Sequence, residues 1–247
     1  MSIEQYKKEV GMMKLDNLIR LRETVSDKSF PISDSELLSR FEQLYTGAVN
    51  DVLREFCLLN QALPGYIQPL REYRTVAGFA FTVKSAPNVI ISGEMDFRTQ
   101  MLDAMGENAF VMWDTSSDEK ATLWGGVMTA TAKGKKVKAA CIDGGIRDTH
   151  QILEADFPVF YKYRISNGSL GRCLITHYQI PIVIGDVTIK PDDIVVGDID
   201  GVLVVPRDMA YDVLMRAEAI RENEETIFCW VREGQSIHEI KEKGGYF

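Results

Sequence analysis

The stretch from Leu123 to Leu153, LWGGVMTATAKGKKVKAACIDGGIRDTHQIL, constrains this chain more than any other. Trp124-Gly125-Gly126 opens an apolar segment, Val127 to Ala132, which reads as a helix beginning at the glycines. Gly134 is expected to end that helix, since glycine tolerates the positive φ common past a helix C-terminus. Val137 to Ile142 is an apolar run of strand length. Asp143-Gly144-Gly145 reads as a turn. Arg147-Asp148 then opens a second helix, with Ile152 and Leu153 on its buried side.

This order puts charge beside unpaired backbone. The first amides of a helix have no acceptor one turn earlier, so the N–H groups of Gly126, Val127 and Met128 form an anion-binding start. Arg147 offers a planar fork matched to a carboxylate. Asp148 offers a hard oxygen ligand for Mg²⁺ or Mn²⁺. Together they have the makings of a site that holds a 2-oxo acid and stabilises an enolate. A simpler reading stands beside it: Asp148 caps the following helix, and Arg147 pairs with it or with a surface acid.

The rest of the chain supplies the frame. Val10, Met13, Leu15, Leu18, Ile19 and Leu21 recur at roughly helical spacing, and the segment from Ser26 to Pro31 reads as a linker. Ser33-Asp34-Ser35-Glu36 fits a capping box ahead of an apolar face of Leu37, Leu38, Phe41, Leu44 and Tyr45. A break at Thr46-Gly47 precedes a helix from about Ala48. Strands are expected over Arg74–Lys84, Asn108–Trp113, Phe157–Tyr161 and Gly201–Pro206, and a helix over Ser92–Met105. Between Ile180 and Val196 short apolar segments alternate with Gly185-Asp186 and Pro191-Asp192-Asp193, which are hairpin and turn signals. Asp198 and Asp200 read as shaping a turn. Asp114 to Lys120 reads as a solvated polar loop, and Pro206–Trp230 as a long helix ending in the acidic run Arg221-Glu222-Asn223-Glu224-Glu225. The mixture argues against a purely alternating parallel fold.

With 247 residues the chain can bury a full core. Its net charge of −8 argues against a nucleic-acid surface, which needs a dense basic face. The four cysteines, Cys57, Cys141, Cys173 and Cys229, make no CxxC pair. Cys141 sits in the apolar strand as a free thiol, and Cys173 follows Arg172 in a polar stretch that reads as exposed. A reducing cytoplasm is therefore expected. No signal peptide is visible, and no apolar stretch approaches a membrane span. His150, His177 and His238 are too scattered for a triad or zinc site, and His150 reads as a solvent-facing helix residue.

Gly126, twenty intervening residues and then Arg147-Asp148 resemble the signature of the RraA-like family. That family includes 4-hydroxy-4-methyl-2-oxoglutarate aldolases, oxaloacetate decarboxylases and regulators of ribonuclease E activity. The resemblance extends to Tyr45-Thr46-Gly47-Ala48-Val49-Asn50-Asp51-Val52-Leu53, to Val76–Val83 and to Gly197–Pro206, in the family's order over about residues 33 to 225. It implies a layered α/β fold, a swivelling β/β/α domain like the phosphohistidine domain, with a helical extension over 1–32, a catalytic domain over 33–230 and a C-terminal extension over 231–247. It further implies a homotrimer or dimer of trimers. Asp148 would bind Mg²⁺ or Mn²⁺, and Arg147 with Gly126, Val127 and Met128 would bind a 2-oxo acid and release pyruvate. An acid of a neighbouring subunit, Glu224 or Glu225, would reach the metal's water shell. A regulator that binds a ribonuclease, or an enzyme of the same fold acting on another hydroxy or sugar acid, is the alternative. Two departures stand out: many aldolases of the family carry an acid where this chain has Gly126, and Asp or Glu where it has Gln151.

Overall fold

A computed structural model of the chain describes residues 29–244. The helical spacing at residues 10–21 falls outside them, as does most of the expected N-terminal extension. Two helices come first, α1 (Asp34–Phe41) and α2 (Thr46–Glu55). Ser33 caps α1 by accepting the Glu36 N–H at 3.2 Å. The start of α2 is held from outside: the Asp198 carboxylate accepts both the Thr46 N–H and the Thr46 hydroxyl, each at 2.8 Å. Asp198 also accepts the Asp200 N–H at 2.9 Å, so it shapes its own turn as expected.

Strands and helices then alternate: β1 (Gln68–Pro69), β2 (Val76–Pro87), α3 (Glu94–Ala104), β3 (Ala109–Asp114), β4 (Thr122–Trp124), α4 (Gly126–Gly134), β5 (Ala139–Ile146), α5 (Thr149–Glu154) and β6 (Val159–Arg164). After them come β7 (Cys173–Tyr178), the hairpin β8 (Ile182–Ile184) and β9 (Val187–Ile189), β10 (Ile194–Asp198), β11 (Gly201–Val205), the long helix α6 (Ala210–Arg232) and α7 (Ile237–Glu242). The main sheet runs β1-β6-β5-β3-β2-β10-β11, with β4 added on β5 and β7 on β2. The pairs from β2 through β3 and β5 to β6 are parallel, and β10 and β11 join antiparallel. One connection touches both edges: Leu63 donates its N–H to Val202 of β11 and Val204 donates to Gln61, while Gln68–Pro69 pairs with β6. The sheet is thereby drawn into a nearly closed barrel.

Side-chain alternation along the strands builds the layers. On β3, Phe110 and Met112 face inward with Cys141, Phe160 and Val204, where the β8–β9 residues Ile182, Ile184, Val187 and Ile189 plug the interior. Val111 and Trp113 face outward under α3, α4 and α5, packing with Met101, Ala132 and Ile152. A third cluster joins α1, α2 and α6 to β10 and β11 through Leu37, Val52, Leu203 and Leu214. The layered β/β/α arrangement expected from the resemblance is the one observed.

Several local expectations change. Asp143-Gly144-Gly145 does not turn the chain but continues β5 to Ile146. The glycines serve close packing: a Cβ on Gly145 would lie 2.5 Å from the Ala121 carbonyl oxygen, and one on Gly144 2.6 Å from Thr115. The left-handed residue after α4 is Lys136, φ 59°, and not Gly134. Leu153 is 39% exposed, leaving Ile152 as the buried contact of α5. Cys173 lies on β7 and is buried, as is Cys141, whose thiol burial pushes up. The Asp114–Lys120 loop is less solvated than its composition suggests, since Asp114 and Asp118 are buried. Asp114 takes the Lys84 ammonium at 2.5 Å. Among the described residues, no helix is long and apolar enough to cross a membrane.

Candidate active site

The turn from β5 into α5 faces the start of α4, and α3 closes the opposite side. Between them lies a cleft of about 340 Å³, lined by Gly125, Gly126, Val127, Met128, Arg147 and Asp148 together with Glu94, Arg98 and Ser169. The sequence-predicted residues of the central stretch are thus brought together, although twenty residues separate Gly126 from Arg147. Parallel pairing explains it: β4 runs beside β5, Trp124 against Ile146, so the α4 start and the β5 exit lie at the same end of the sheet. The Arg147 N–H donates to the Trp124 carbonyl at 3.0 Å and ties the two turns together.

Asp148 occupies the N-cap position of α5 in the left-handed region, φ 54° and ψ 36°, and its side chain makes no capping bond. Of the simpler reading, the N-cap position and the pairing with Arg147 are found, and the side-chain capping bond is not. The Asp148 carboxylate reaches instead across the cleft, where Oδ2 accepts the Gly126 N–H at 3.2 Å and lies 3.7 Å from Arg147 Nε. A residue with a Cβ is mildly strained in this conformation, which eight other described non-glycine residues also approach with a positive φ. Gly125 makes the approach possible, because a Cβ there would sit 2.7 Å from Asp148 Oδ2. One expectation needs correction: the Gly126 amide is not an open donor, being already engaged by Asp148. Val127 and Met128 stand next in the first turn of α4, whose amides lack an acceptor one turn back.

Arg147 is half-exposed and donates from Nη1 to the Ser166 carbonyl at 3.3 Å, which leaves the rest of its fork toward the cleft. Gln151, one of the two departures from the family pattern, explains the other. A Cβ on Gly126 would lie 1.7 Å from Gln151 Oε1. The glutamine amide fills the space an acidic side chain at 126 would need, so the two replacements form a matched pair.

Sequence reasoning missed the α3 wall. Arg98 donates from Nη2 to Glu94 Oε1 and to Ser169 Oγ, each at 2.7 Å, with the Arg98 side chain 13% and the Glu94 side chain 1% exposed. A Glu and Arg four apart on a helix usually mark a solvated pair, so the only available signal was their position just after Gly93 in a methionine-rich segment. Glu224 and Glu225 lie elsewhere, on α6: Glu224 accepts a hydrogen bond from the Tyr45 hydroxyl, and Glu225 is exposed. Within one chain neither lines the cleft. His150 is exposed on α5, as expected.

A helix start, an arginine and an aspartate in the left-handed region thus meet in one cleft. The Aldolase/RraA model of the RraA-like family matches residues 46–204, and the chain belongs to that family. It is 28% identical over 196 residues to a putative 4-hydroxy-4-methyl-2-oxoglutarate aldolase of Halalkalibacterium halodurans, covering 78% of this chain and 87% of that protein. It is 27% identical over 176 residues to protein DlpA of Legionella pneumophila, covering 71% of this chain but only 29% of that longer protein. A crystal structure described among novel cellulases from microbes associated with the gut ecosystem is 79% identical, with a TM-score of 0.86 over 90% of this chain and 100% of its own.

Proposed function

We propose that the chain is a divalent-metal-dependent lyase that cleaves a C–C bond of a 2-oxo acid and releases pyruvate, as a 4-hydroxy-4-methyl-2-oxoglutarate aldolase, an oxaloacetate decarboxylase, or both. The observation that carries the reading is Asp148: a strained, uncapped carboxylate directed at a helix start beside Arg147. The name of the H. halodurans relative supports the reaction class.

Among the described residues no cluster of three or more His, Cys, Asp or Glu side chains could cage a metal. Mg²⁺ and Mn²⁺ bind through one or two carboxylates, with waters and substrate oxygens completing the shell. Asp148 is the residue that would hold the ion, and the ion when bound would supply Lewis-acid polarisation of the 2-oxo group. The chain's own groups do the rest. The Val127 and Met128 amides receive the substrate carboxylate. Arg147 holds the same end and stabilises the charge that develops on the 2-oxo oxygen as the bond breaks. Gln151 and Gly126 leave no acid at the two positions where many family aldolases carry one. Either Glu224 or Glu225 of a neighbouring subunit is the proposed source of an acid near the water shell, in a trimer or dimer of trimers.

The description of the 79%-identical structure raises glycoside hydrolysis. A glycosidase sets two carboxyl groups across the scissile bond, one of them free to donate a proton. In this cleft each acid is engaged by an arginine, Glu94 by Arg98 at 2.7 Å and Asp148 by Arg147 at 3.7 Å. That arrangement suits anion binding better than glycosidic proton transfer.

Pyruvate release, coupled to NADH oxidation by lactate dehydrogenase, tests the reading with oxaloacetate and 4-hydroxy-4-methyl-2-oxoglutarate in Mg²⁺, Mn²⁺ or EDTA. Metal-dependent release is expected. No release from either acid by a folded protein sinks it and favours the binding-protein alternative.

A further inference from the structure

We propose that three connections beside the candidate cleft form a second ligand site. It takes a carboxylate with an extended apolar body and is coupled to Arg147 through residues 165–172. The site stands apart from the 2-oxo acid reading, because it needs neither a metal nor a cleavable bond.

The cavity holds about 940 Å³, against about 340 Å³ for the cleft. Asn88 and Val89 line it just after β2, Ser117 to Lys120 between β3 and β4, and Arg172 just before β7. Backbone bonds stitch these segments together. The Asn88 N–H donates to the Arg172 carbonyl at 2.9 Å, and the Thr122 N–H to the Asn167 carbonyl at 2.8 Å. The walls therefore stand before a ligand arrives, and little loop ordering is left to oppose binding.

The charges in the cavity are sorted by sign. Asp118 lies beneath the surface: Oδ1 accepts the Lys120 N–H at 3.0 Å, and Oδ2 is sealed from solvent. Glu119 leans toward Lys162, 3.6 Å away. Lys120 and Arg172 are exposed, and neither forms an ion pair among the described residues. Arg172 spends Nη1 on the Gly168 carbonyl at 2.9 Å. Its Nε and Nη2 edge stays open, and that edge matches a carboxylate with two parallel hydrogen bonds. Lys120 adds a second positive charge from the facing connection. Pro87 and Val89, the latter 84% exposed, supply an apolar wall. Among the described residues no aromatic side chain lines the cavity, so a nucleotide finds no ring to stack its base on. Ligand pockets cover most of their ligand's surface, and a compact 2-oxo acid would leave this one largely empty.

Residues 165–172 separate this cavity from the cleft and touch both. Gly168, whose carbonyl holds Arg172, lies against Arg147: a Cβ on it would sit 3.3 Å from Arg147 Nη1. The Ser166 carbonyl accepts from the same Nη1 at 3.3 Å. A carboxylate on the open edge of Arg172 leaves the bond to Gly168 in place and immobilises the arginine that makes it. The segment is then held from one side, and Arg147 on the other side loses freedom with it. Ordering of this kind couples two sites without a change of fold.

Calorimetry with octanoate on the full chain reads the site directly. Wild type should bind octanoate saturably, and octanamide, which keeps the body without the charge, should not compete. Arg172→Met removes a charge-assisted contact and should weaken octanoate about tenfold or more, with part of the loss recovered in Arg172→Lys. Lys120→Met, a change at an exposed side chain, should weaken it as well and guards against a folding defect in the first variant. Arg147→Met should keep octanoate bound. No binding in wild type, or equal binding in wild type, Arg172→Met and Lys120→Met, overturns the inference. A loss confined to Arg147→Met also overturns it, by placing octanoate in the cleft. Binding of inorganic phosphate in place of octanoate overturns the ligand class. Hydrogen exchange reads the coupling. Octanoate should slow exchange at residues 165–172 and at the Arg147 amide, which donates to the Trp124 carbonyl at 3.0 Å. Protection confined to residues 165–172 overturns the coupling. These readouts use no metal and no pyruvate, so the site and the lyase reading fail or stand separately.

Discussion

Asp148→Gly separates function from stability. Asp148 sits at φ 54° and ψ 36°, where a residue with a Cβ costs roughly 1 kcal/mol more than glycine. Its carboxylate accepts a single amide hydrogen bond, from Gly126 at 3.2 Å, worth about 1 kcal/mol net. Glycine removes the strain and the bond together, so the two terms nearly cancel and unfolding free energy should change by less than about 1 kcal/mol. Alanine keeps the strain and loses the bond, so it should be less stable than the glycine variant by about 1 kcal/mol. For a chain of this size that gap is roughly 2–4 °C in Tm. Activity should behave oppositely: loss of a metal-holding carboxylate removes several kcal/mol of charge stabilisation, a fall of at least about a hundredfold in both variants. Urea unfolding and pyruvate release measure the two axes. A glycine variant with near-normal activity, or one destabilised by more than about 3 kcal/mol, would refute the view that the strain at Asp148 is retained for function.

Two further outcomes follow from the packing. Gly145→Ala should destabilise by about 2–3 kcal/mol in urea unfolding, because its Cβ would meet the Ala121 backbone oxygen at 2.5 Å and Tyr163 at 2.7 Å; a neutral effect would mean that β4 and β6 yield more easily than their burial implies. Asp193 is buried and accepts the Lys190 and Arg207 amides, and burial pushes its carboxyl up to about 6. Because the folded state takes up this proton before the unfolded one does, Asp193 should lend stability as pH falls from about 6 to about 4, and that gain should be absent above pH 6. Asp193→Asn should flatten this part of the stability–pH curve by about 2 kcal/mol; an unchanged slope would place the titration elsewhere.

What the chain revealed before its structure depended on range. Periodicity and β-branched runs placed β2, β3, β10 and β11 to within a few residues, since each strand's alternation is written locally. The glycines of β5 misled because glycine marks both turns and close approach, and only the neighbours Ala121, Thr115 and Tyr163 decide between them. Arg147 and Asp148 were legible as a dipeptide ahead of a helix, but the positive φ of Asp148 and its bond to Gly126 depend on β4 lying beside β5. Gln151 was visible only as a departure; that its amide occupies the space above Gly126 is a tertiary fact. Arg98 was illegible because its third partner, Ser169, lies 71 residues away.

Mn²⁺ binding followed by electron paramagnetic resonance, with and without oxalate, tests most directly whether the cleft between Gly126 and Asp148 is a metal and 2-oxo acid site. Wild type should bind Mn²⁺, bind it more tightly with oxalate present, and lose both responses in the folded Asp148→Gly variant. Identical Mn²⁺ and oxalate responses in wild type and variant would contradict the assignment.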